Sequence, residues 1–297
     1  KPSIKFKIIV KSKLKLFFKK LLPSIFSSGV TQINILIGTI IASFEAGAVS
    51  YLYYADRIYQ INLAIAGIAV GTVSLPILSK AIKRKNIFKT SNIQNRSIEL
   101  SLLLSIPASL GVIIASEQIV NALFGYGSFS KENIKMTAMA LKFFGYGIPA
   151  FALIKVLSNF FFARNNTKIP FYLSVFVVAI NVSLSLIYFK EVGFIIIPIA
   201  TSLSTWVGVF VYLILLGRNR FLLLQTKLFK NIFKIFFSTI LMSVILSFGL
   251  DFFTENLDYS NKYKSFYLLF IVSFVATIYL ISCYLLGVLK IKNYKLN

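Results

Sequence analysis

The amino-acid sequence predicts an all-α, polytopic membrane protein with eight transmembrane helices. Of its 297 residues, 57% are hydrophobic, and the mean hydropathy is +0.81. A soluble domain of this length could not bury 30 Phe and 15 Tyr beside long aliphatic runs in one core, because its surface remains too large a share of the molecule. The charge of +23 comes from basic clusters between apolar stretches, whereas a nucleic-acid-binding protein would carry a basic face on a polar domain.

The residue types that most enzymes and metal sites need are scarce. Histidine is absent and cysteine occurs once, at Cys283. This composition excludes disulfide frameworks, Cys/His zinc sites and histidine-based acid–base catalysis. No phosphate-cradling glycine loop or nucleophile elbow is present either. We therefore expect no enzyme, no metal site and no cofactor.

Eight apolar segments are long enough to cross a bilayer, which requires about 20 residues of helix. Gly145, Gly147, Pro149 and Pro198 interrupt some of them, and neighbouring helices are expected to satisfy the backbone groups freed at such positions. The predicted spans are roughly 21–43, 50–79, 98–116, 133–163, 169–189, 193–216, 231–250 and 265–289.

Basic residues are distributed unevenly between alternate loops. Most of the 32 Lys and Arg residues lie in residues 1–20, in the loops around 80–96, 164–168 and 218–234, and in the tail after 289. The intervening loops carry Lys131, Lys190, Lys262 and Lys264, beside most of the acidic residues. The positive-inside rule therefore predicts that both termini are cytoplasmic.

Residues 1–20 alternate between lysine and apolar residues. Such a segment could lie at the headgroup level as an interfacial helix, where each lysine gains about 1 kcal/mol from anionic lipid. Simple charge anchoring explains the same residues. The charged part is too long for a signal peptide. Because the chain begins with Lys1, we expect it to be a piece of a longer protein.

Three charged residues lie deep within predicted spans: Asp56, Arg57 and Lys155. A charge at the bilayer centre costs about 2.5–3.5 kcal/mol on insertion scales, so it usually faces a cavity or a partner. Adjacent helix positions differ by about 100°, so Asp56 and Arg57 cannot both point the same way. Asp56 either pairs with Lys155 and pins two helices together or has a functional role. A buried Arg57 indicates an anionic ligand, because a guanidinium meets phosphate with two hydrogen bonds.

The second span contains the string SYLYYADRIYQ (50–60), and the string FARNNTKIP (162–170) follows the fourth span. These and several other segments resemble the lipid II flippases of the MurJ (MviN) family. This family belongs to the multidrug/oligosaccharidyl-lipid/polysaccharide exporter superfamily. The resemblance runs from about residue 20 to 216, and its YADR and ARxxTKxP blocks are specific. The matching strings, in chain order, are SYLYYADRIYQ (50–60), GIAVGT (67–72), LPILS (75–79), LFGYGSF (123–129), KVL (155–157), FARNNTKIP (162–170) and ATSLS (200–204).

The resemblance implies a fourteen-helix exporter made of two six-helix lobes and two further helices, of which this chain supplies the last eight. Residues 1–20 would then connect the lobes, 21–216 would form the second lobe, and 217–297 would form the additional pair with a cytoplasmic tail. That pair would hold a polyprenyl chain in its groove. The implied partners are lipid II, membrane lipids and the missing first lobe, with no nucleic acid, in the bacterial inner membrane.

The resemblance also implies a site and a mechanism. The two lobes would rock so that a central cavity opens first to the cytoplasm and then to the periplasm. Arg57 would pair with the pyrophosphate of lipid II, with Ser50 and Gln60 on flanking matched positions. Asp56 and Lys155 are further candidates for substrate binding. Gln60 stands where some family members have Glu.

Two positions depart from the family pattern. Gly38 stands where relatives often carry Asn or Asp, residues implicated in some members in sodium coordination, so a sodium site of that kind is not expected here. Asn62 stands where proline is usual, which could change a helix kink used in rocking.

Three alternatives to the flippase remain open. A related exporter of lipid-linked oligosaccharides or drugs would share the fold, although the YADR block argues against it. A membrane enzyme acting on polyprenyl phosphate would need clustered acids or histidine near the membrane face. An inactive or structural remnant would follow if the first lobe were not encoded upstream.

Overall fold

A computed structural model of the chain describes residues 29–30 and 32–289. The predicted interfacial segment 1–20, the first part of the first span and the basic tail after Leu289 lie outside the described residues. All further structural statements concern the described part of the chain.

Eight helices follow one another in the described residues, which confirms the predicted fold class. Five continuous helical stretches are long and apolar enough to cross a membrane, and the bent pair Lys131–Gly145 and Ile148–Phe162 makes a sixth. One of these stretches, Lys168–Arg218, contains two helices, because the chain reverses at Gly193 with a φ of 72° and the two halves pack side by side. The helices are α1 Gln32–Ala42, α2 Ala48–Lys83, α3 Ile87–Phe124, α4 in two halves (Lys131–Gly145 and Ile148–Phe162), α5 Lys168–Val192, α6 Ile196–Arg218, α7 Thr226–Phe252 and α8 Lys264–Leu285.

Alternate loops meet at opposite ends of the bundle. At one end, the Glu45 carboxylate after α1 accepts a 2.7 Å hydrogen bond from the Phe194 backbone N–H before α6. At the other end, Arg164 after α4 donates a 2.9 Å hydrogen bond to the Phe221 carbonyl after α6. The helices therefore run up and down, with the basic loops at the Arg164 end.

Helix α4 lies at the centre of the bundle and packs against α2, α3 and α6. Its buried residues contribute to two apolar clusters, one around Leu141 and Phe144 and the other around Leu157 and Phe160. Helices α7 and α8 pack on each other and contact the rest of the molecule mainly through α3. A third apolar cluster, which includes Ile235 and Ile271, fills that interface.

The bend in α4 confirms the interruption predicted at Gly145 and Gly147. The two halves of the helix differ in direction by 43°. Three side chains from neighbouring helices donate to backbone carbonyls at the bend: Ser109 to Gly145 and Ser202 to Phe143, both at 2.7 Å, and Trp206 to Tyr146 at 2.9 Å. An unpaired carbonyl would be costly in an apolar environment, so these bonds stabilise the bend.

Helix α2 packs closely against the second half of α4 through Gly67 and Gly71. A Cβ at Gly67 would lie 3.1 Å from the Ala152 Cα, and one at Gly71 would lie 2.9 Å from the Asn159 amide nitrogen. The Asn159 amide donates a 2.8 Å hydrogen bond to the Gly71 carbonyl. The GxxxG spacing is thus a helix-packing motif, and a π-helical segment, Ala64–Ala69, includes its first glycine.

Candidate functional site

One face of α2 carries most of the candidate residues and is exposed. Ser50, Tyr53, Arg57 and Gln60, here called the arginine face, follow a helical spacing of three and four residues, and all are exposed. The opposite face of α2 buries Ile58 and Tyr59, and the Tyr59 ring stacks on Phe144 of α4 with 5.2 Å between centroids. Packing of this apolar face orients the arginine face away from the core.

The start of α2 is held by a glycine turn and by a contact to α4. Gly47 adopts a φ of 78°, and a Cβ there would lie 2.7 Å from the Tyr51 hydroxyl. That hydroxyl donates a 3.2 Å hydrogen bond to the Asn133 side-chain oxygen at the beginning of α4. The first turns of α2 are therefore fixed relative to α4.

Arg57 is held by the tyrosine one turn before it. Its guanidinium donates a 2.8 Å hydrogen bond to the Tyr53 hydroxyl and lies over the Tyr53 ring, with 4.6 Å from the guanidinium carbon to the ring centroid. One donor of the guanidinium is thus hydrogen-bonded within the helix, and the Arg57 side chain remains exposed. This arrangement leaves a positioned cation exposed, and a guanidinium of this kind can meet an anion with two hydrogen bonds.

Asp56 and Arg57 point in different directions, as predicted from their adjacency. The Asp56 carboxylate is half-buried and accepts a hydrogen bond from the Gln60 amide one turn later. The hypothesis that Asp56 pairs with Lys155 is wrong, because no ion pair joins these side chains in the described residues. The physical reason is helical spacing: Gln60 at i+4 reaches the carboxylate directly, whereas Lys155 lies farther along the bundle.

Lys155 is an exposed residue of the second half of α4. Its side chain passes Gly67 of α2, where an added Cβ would lie 3.5 Å from the Lys155 Cγ. At 1.5 Å per residue, Gly67 is about 15 Å along α2 from Arg57. The structure therefore places Ser50, Arg57 and Gln60 along one face of α2 and bonds Asp56 to Gln60. Lys155 lies beside Gly67, beyond Gln60 along α2.

The arginine face suits recognition of an anion and offers no constellation for covalent chemistry. It combines a guanidinium with a hydroxyl at Ser50 and an amide at Gln60. Within the residues that the structure describes, no group of three or more His, Cys, Asp or Glu side chains could hold a metal ion. These residues can bind and orient a charged ligand through hydrogen bonds and electrostatics.

A buried polar cluster joins three other helices, which sequence reasoning missed. The Asn181 amide of α5 donates to the Asn34 side-chain oxygen of α1 at 2.9 Å and to the Thr201 hydroxyl of α6 at 3.3 Å. The Ser185 hydroxyl donates to the Asn181 side-chain oxygen at 3.4 Å. The isolated asparagines and threonine were visible in the sequence, but nothing in their spacing indicated that they meet.

An apolar groove of about 570 Å³ lies between α7 and α8. Its walls include Phe248 and Phe252 from α7, and Phe270 and Phe274 from α8. Asp251 is the charged residue of the lining, and the other lining residues are aromatic, aliphatic or glycine. The groove therefore offers a mainly apolar surface of the kind that accepts hydrocarbon chains.

A helical bundle with a bent central helix and an exposed arginine within a span defines a multi-pass helical membrane protein. A family model described as "Lipid II flippase MurJ" matches residues 2–290. The chain therefore belongs to the MurJ family of lipid II flippases.

Curated relatives agree with this family. A probable lipid II flippase MurJ from Rhizobium meliloti (strain 1021) is 45% identical over 187 residues, covering 63% of this chain and 35% of the relative. The corresponding protein from Rickettsia prowazekii (strain Madrid E) is 41% identical over 192 residues, covering 63% of this chain and 38% of the relative. The aligned part of the chain thus covers well under half the length of each of these relatives.

Solved structures share the fold. A structure titled "Lipid II flippase MurJ, inward closed conformation" has a TM-score of 0.73 and 25% identity, covering 94% of this chain and 55% of that one. An exporter-superfamily transporter from Pyrococcus furiosus has a TM-score of 0.58 and 16% identity, covering 88% of this chain and 60% of the transporter. The latter similarity concerns the fold alone.

Proposed function

We propose that this chain is the second lobe and C-terminal helix pair of a lipid II flippase. The full-length protein would move the lipid-linked peptidoglycan precursor from the cytoplasmic to the periplasmic leaflet of the bacterial inner membrane by alternating access. The observation that carries the proposal is Arg57, an exposed guanidinium within the long apolar helix α2. An unpaired cation in such a helix is costly unless it meets a ligand or a water-filled cavity.

Arg57 would bind the pyrophosphate of the substrate. A pyrophosphate carries several negatively charged oxygens, and a planar guanidinium can meet two of them at once. Tyr53 supports this role by holding the guanidinium at 2.8 Å while leaving its other donors exposed. Ser50 and Gln60, exposed on the same face, would donate further hydrogen bonds to the phosphate or the sugar.

Asp56 and Lys155 would act less directly. The Asp56 carboxylate would orient Gln60 through the hydrogen bond between them. The Lys155 side chain passes Gly67, which is about 15 Å from Arg57 along α2, so Lys155 would meet a different part of the substrate or a phosphate in transit. Neither residue would form the main contact to the pyrophosphate.

The arginine face requires a second wall to become a cavity, and we propose that the first lobe of the same protein supplies it. The proposed division places 1–20 between the lobes, 21–216 in this lobe and 217–297 in the additional pair. In favour of the last boundary, α7 and α8 pack on each other and reach the lobe mainly through α3. The apolar groove between them would hold the polyprenyl chain while Arg57 holds the head group.

The proposed orientation places the Arg164 end of the bundle in the cytoplasm, together with both termini. The loops at that end carry most of the basic residues, and the positive-inside rule favours their retention. Transport would involve no covalent step, because it needs only differential binding of the substrate as the cavity changes the side to which it opens.

Complementation of a flippase-depleted bacterium tests the proposal. The full-length gene should carry Arg57→Ala, Arg57→Lys or Lys142→Ala, the last of which removes another exposed basic residue within a span. Loss of charged hydrogen bonds predicts a decrease of about 10- to 100-fold in lipid II export for Arg57→Ala. Arg57→Lys should retain part of the activity and Lys142→Ala most of it.

Export of lipid II should be measured directly, with protein levels compared by immunoblot. Normal lipid II export by Arg57→Ala at wild-type protein level would overturn the assigned role of Arg57. Failure of the wild-type gene to export lipid II would favour a different lipid-linked substrate or an inactive remnant.

A further inference from the structure

A polar cavity lies at the Arg164 end of the bundle, away from the arginine face. It measures about 410 Å³ and lies between the first turns of α3, the first turns of α7 and the end of α8. Its basic lining consists of Arg96, Lys227, Lys230 and Lys234, here called the basic pocket. A volume in the range of about 300–1,000 Å³ is typical of sites for small ligands.

Helical spacing brings the basic side chains to one cavity. Lys227, Lys230 and Lys234 follow each other at intervals of three and four residues, so they share one face of α7. Arg96 lies on the face of α3 that packs against α7. The convergence is therefore a product of the α3–α7 contact rather than of any local sequence motif.

The cavity has a net positive charge. Among its described lining residues, Glu99 is the acid, and its carboxylate accepts a 2.9 Å hydrogen bond from the Asn231 amide. The Lys234 ammonium donates a 2.8 Å hydrogen bond to the Leu286 carbonyl just after α8. Lys227 and Lys230 are exposed, so their ammonium groups can reach an anion in the cavity.

The wall of the pocket is rigid because α3 holds the chain that precedes α7. The Asn95 amide donates to the Leu223 carbonyl at 2.7 Å, and the Gln225 backbone N–H donates back to the Asn95 side-chain oxygen at 2.9 Å. The Gln94 amide donates to the Phe221 carbonyl at 2.9 Å. These bonds fix the start of α7, and with it the positions of its lysines, before any ligand arrives.

Exposed phenylalanines next to the basic pocket indicate that its ligand has an apolar part. Phe229 is 57% exposed and Phe233 is 73% exposed, and both lie on α7 between the lysines of the pocket. Apolar rings beside ammonium groups at the end of a membrane-spanning helix are typical of the boundary between headgroups and acyl chains. A water-soluble anion would use the lysines but gain nothing from these rings.

We propose that the basic pocket binds the phosphate of an anionic phospholipid headgroup in the leaflet at the Arg164 end of the bundle. Lys227 and Lys230 neutralise the phosphate diester, while Phe229 and Phe233 contact the acyl chains. The site joins α3 to the α7–α8 pair, so a bound lipid stabilises their contact. This inference does not depend on the proposed flippase activity.

Lipid binding to the full-length protein in a neutral detergent tests the proposal. Phosphatidylglycerol, phosphatidylcholine and inorganic phosphate should be titrated, with bound lipid measured by native mass spectrometry and phosphate by competition. Lys227→Gln/Lys230→Gln should weaken phosphatidylglycerol binding by about 10- to 30-fold, because each lysine near anionic headgroups contributes about 1 kcal/mol to binding. Lys80→Gln/Lys83→Gln is the control, because it removes the same charge from exposed positions at the same end of the bundle but outside the pocket. This variant should change phosphatidylglycerol binding little.

Lys227→Arg/Lys230→Arg keeps both charges and should retain binding, which separates loss of the site from loss of folding. Equal weakening in the pocket and control variants would overturn the proposal, because it would indicate attraction by net charge alone. Unchanged binding in Lys227→Gln/Lys230→Gln would also overturn it. Inorganic phosphate that binds as tightly as phosphatidylglycerol would overturn the lipid assignment in favour of a free phosphate.

Discussion

The Lys264 ammonium donates a 2.6 Å hydrogen bond to the backbone carbonyl of Gly125. It also donates to the Tyr259 carbonyl at 2.8 Å and lies 4.3 Å from the centroid of the Tyr126 ring. With only 1% of its surface exposed, Lys264 is a buried cation that joins the α3–α4 loop to the beginning of α8. A lysine at a helix start thus connects the additional helix pair to the rest of the protein.

Lys264→Met should lower the free energy of unfolding by about 1–3 kcal/mol, because it leaves the buried Gly125 carbonyl and the partly buried Tyr259 carbonyl without their donor. Lys262→Met is the matched control, since Lys262 is an exposed lysine in the same loop. Thermal unfolding in detergent measures both variants. Equal melting temperatures for the two variants would contradict a structural role for Lys264.

Gly67→Ala should destabilise the protein by about 1–3 kcal/mol, because the added methyl group meets the α4 backbone and packed helices tolerate little overpacking. The closest atom, the Ala152 Cα, would lie 3.1 Å away. Gly111→Ala is the control, since a Cβ at Gly111 meets nothing within 4 Å. That variant should be neutral or gain a few tenths of a kcal/mol to about 1 kcal/mol from helix propensity. A Gly67→Ala protein as stable as Gly111→Ala would show that the contact can relax.

Tyr53→Phe should reduce lipid II export by about 2- to 10-fold, because it removes one hydrogen bond that positions Arg57 while keeping the ring below it. Tyr54→Phe provides the control, since the Tyr54 ring packs on Phe124 and Phe129. The assay is complementation with direct measurement of lipid II in the periplasmic leaflet. Wild-type export by Tyr53→Phe, alongside an inactive Arg57→Ala, would mean that Arg57 needs no support from Tyr53.

Asp56 and Lys155 should be energetically independent. The effects of Asp56→Asn and Lys155→Met on unfolding should add within about 0.3–0.5 kcal/mol, as they do for residues with no shared contact. Asp56→Asn and Gln60→Ala should instead show coupling, because their side chains are hydrogen-bonded. Denaturant unfolding of the single and double variants measures both cycles. Coupling of 1 kcal/mol or more between Asp56 and Lys155, about the size of a normal hydrogen bond, would restore the pairing hypothesis.

Asp258, in the loop between α7 and α8, should contribute a pH-dependent stability. Hydrogen bonds from the Ser260 hydroxyl and backbone, with smaller contributions from Tyr259 and Lys131, lower the carboxyl pKa from 3.8 to about 2. Because the pKa is lower in the folded state, this stabilisation is present above pH 4 and is lost as the pH falls from about 4 to about 2. The wild type should therefore be more stable than Asp258→Asn near neutral pH, and the difference should disappear over that range.

Ser260→Ala tests the cause of that shift, because it removes the hydroxyl that contributes most. The carboxyl pKa, followed by titration of the Asp258 side chain, should rise toward 3.8 in this variant. An unchanged pKa in Ser260→Ala would assign the shift to the backbone donors instead.

The ends of α3 show a limit of hydropathy as a predictor of helix length. The window that predicts a third span at 98–116 ends where polar residues begin, whereas α3 extends over Ile87–Phe124. Its additional N-terminal turns include buried polar residues, since Ser91 and Asn95 bond to the loop before α7. Hydropathy alone cannot distinguish a polar helix face that meets a loop from a polar loop.

The charged residues of α2 show which features of a site local sequence can predict and which it cannot. Arg57 was recognised from its depth in an apolar span and its YADR string, both of which are local features. Pairing of Asp56 with Lys155 was one of two alternatives that the sequence left open, and it is wrong, because a contact between two helices depends on their rotation and offset, which no single span encodes. For the same reason, the convergence of Lys227, Lys230 and Lys234 with Arg96 was not visible in loops that looked like topology signals alone.

The sequence by itself determined the number of helices, the alternation of their loops and the family, because hydrophobic length, charge distribution and short strings are properties of a linear chain. Only the tertiary structure decided which polar groups meet: Asn159 with the Gly71 carbonyl, Lys264 with the Gly125 carbonyl, and the lysines of α7 with Arg96. In an apolar environment, buried polar groups must find partners on other helices, and those partners are set by packing.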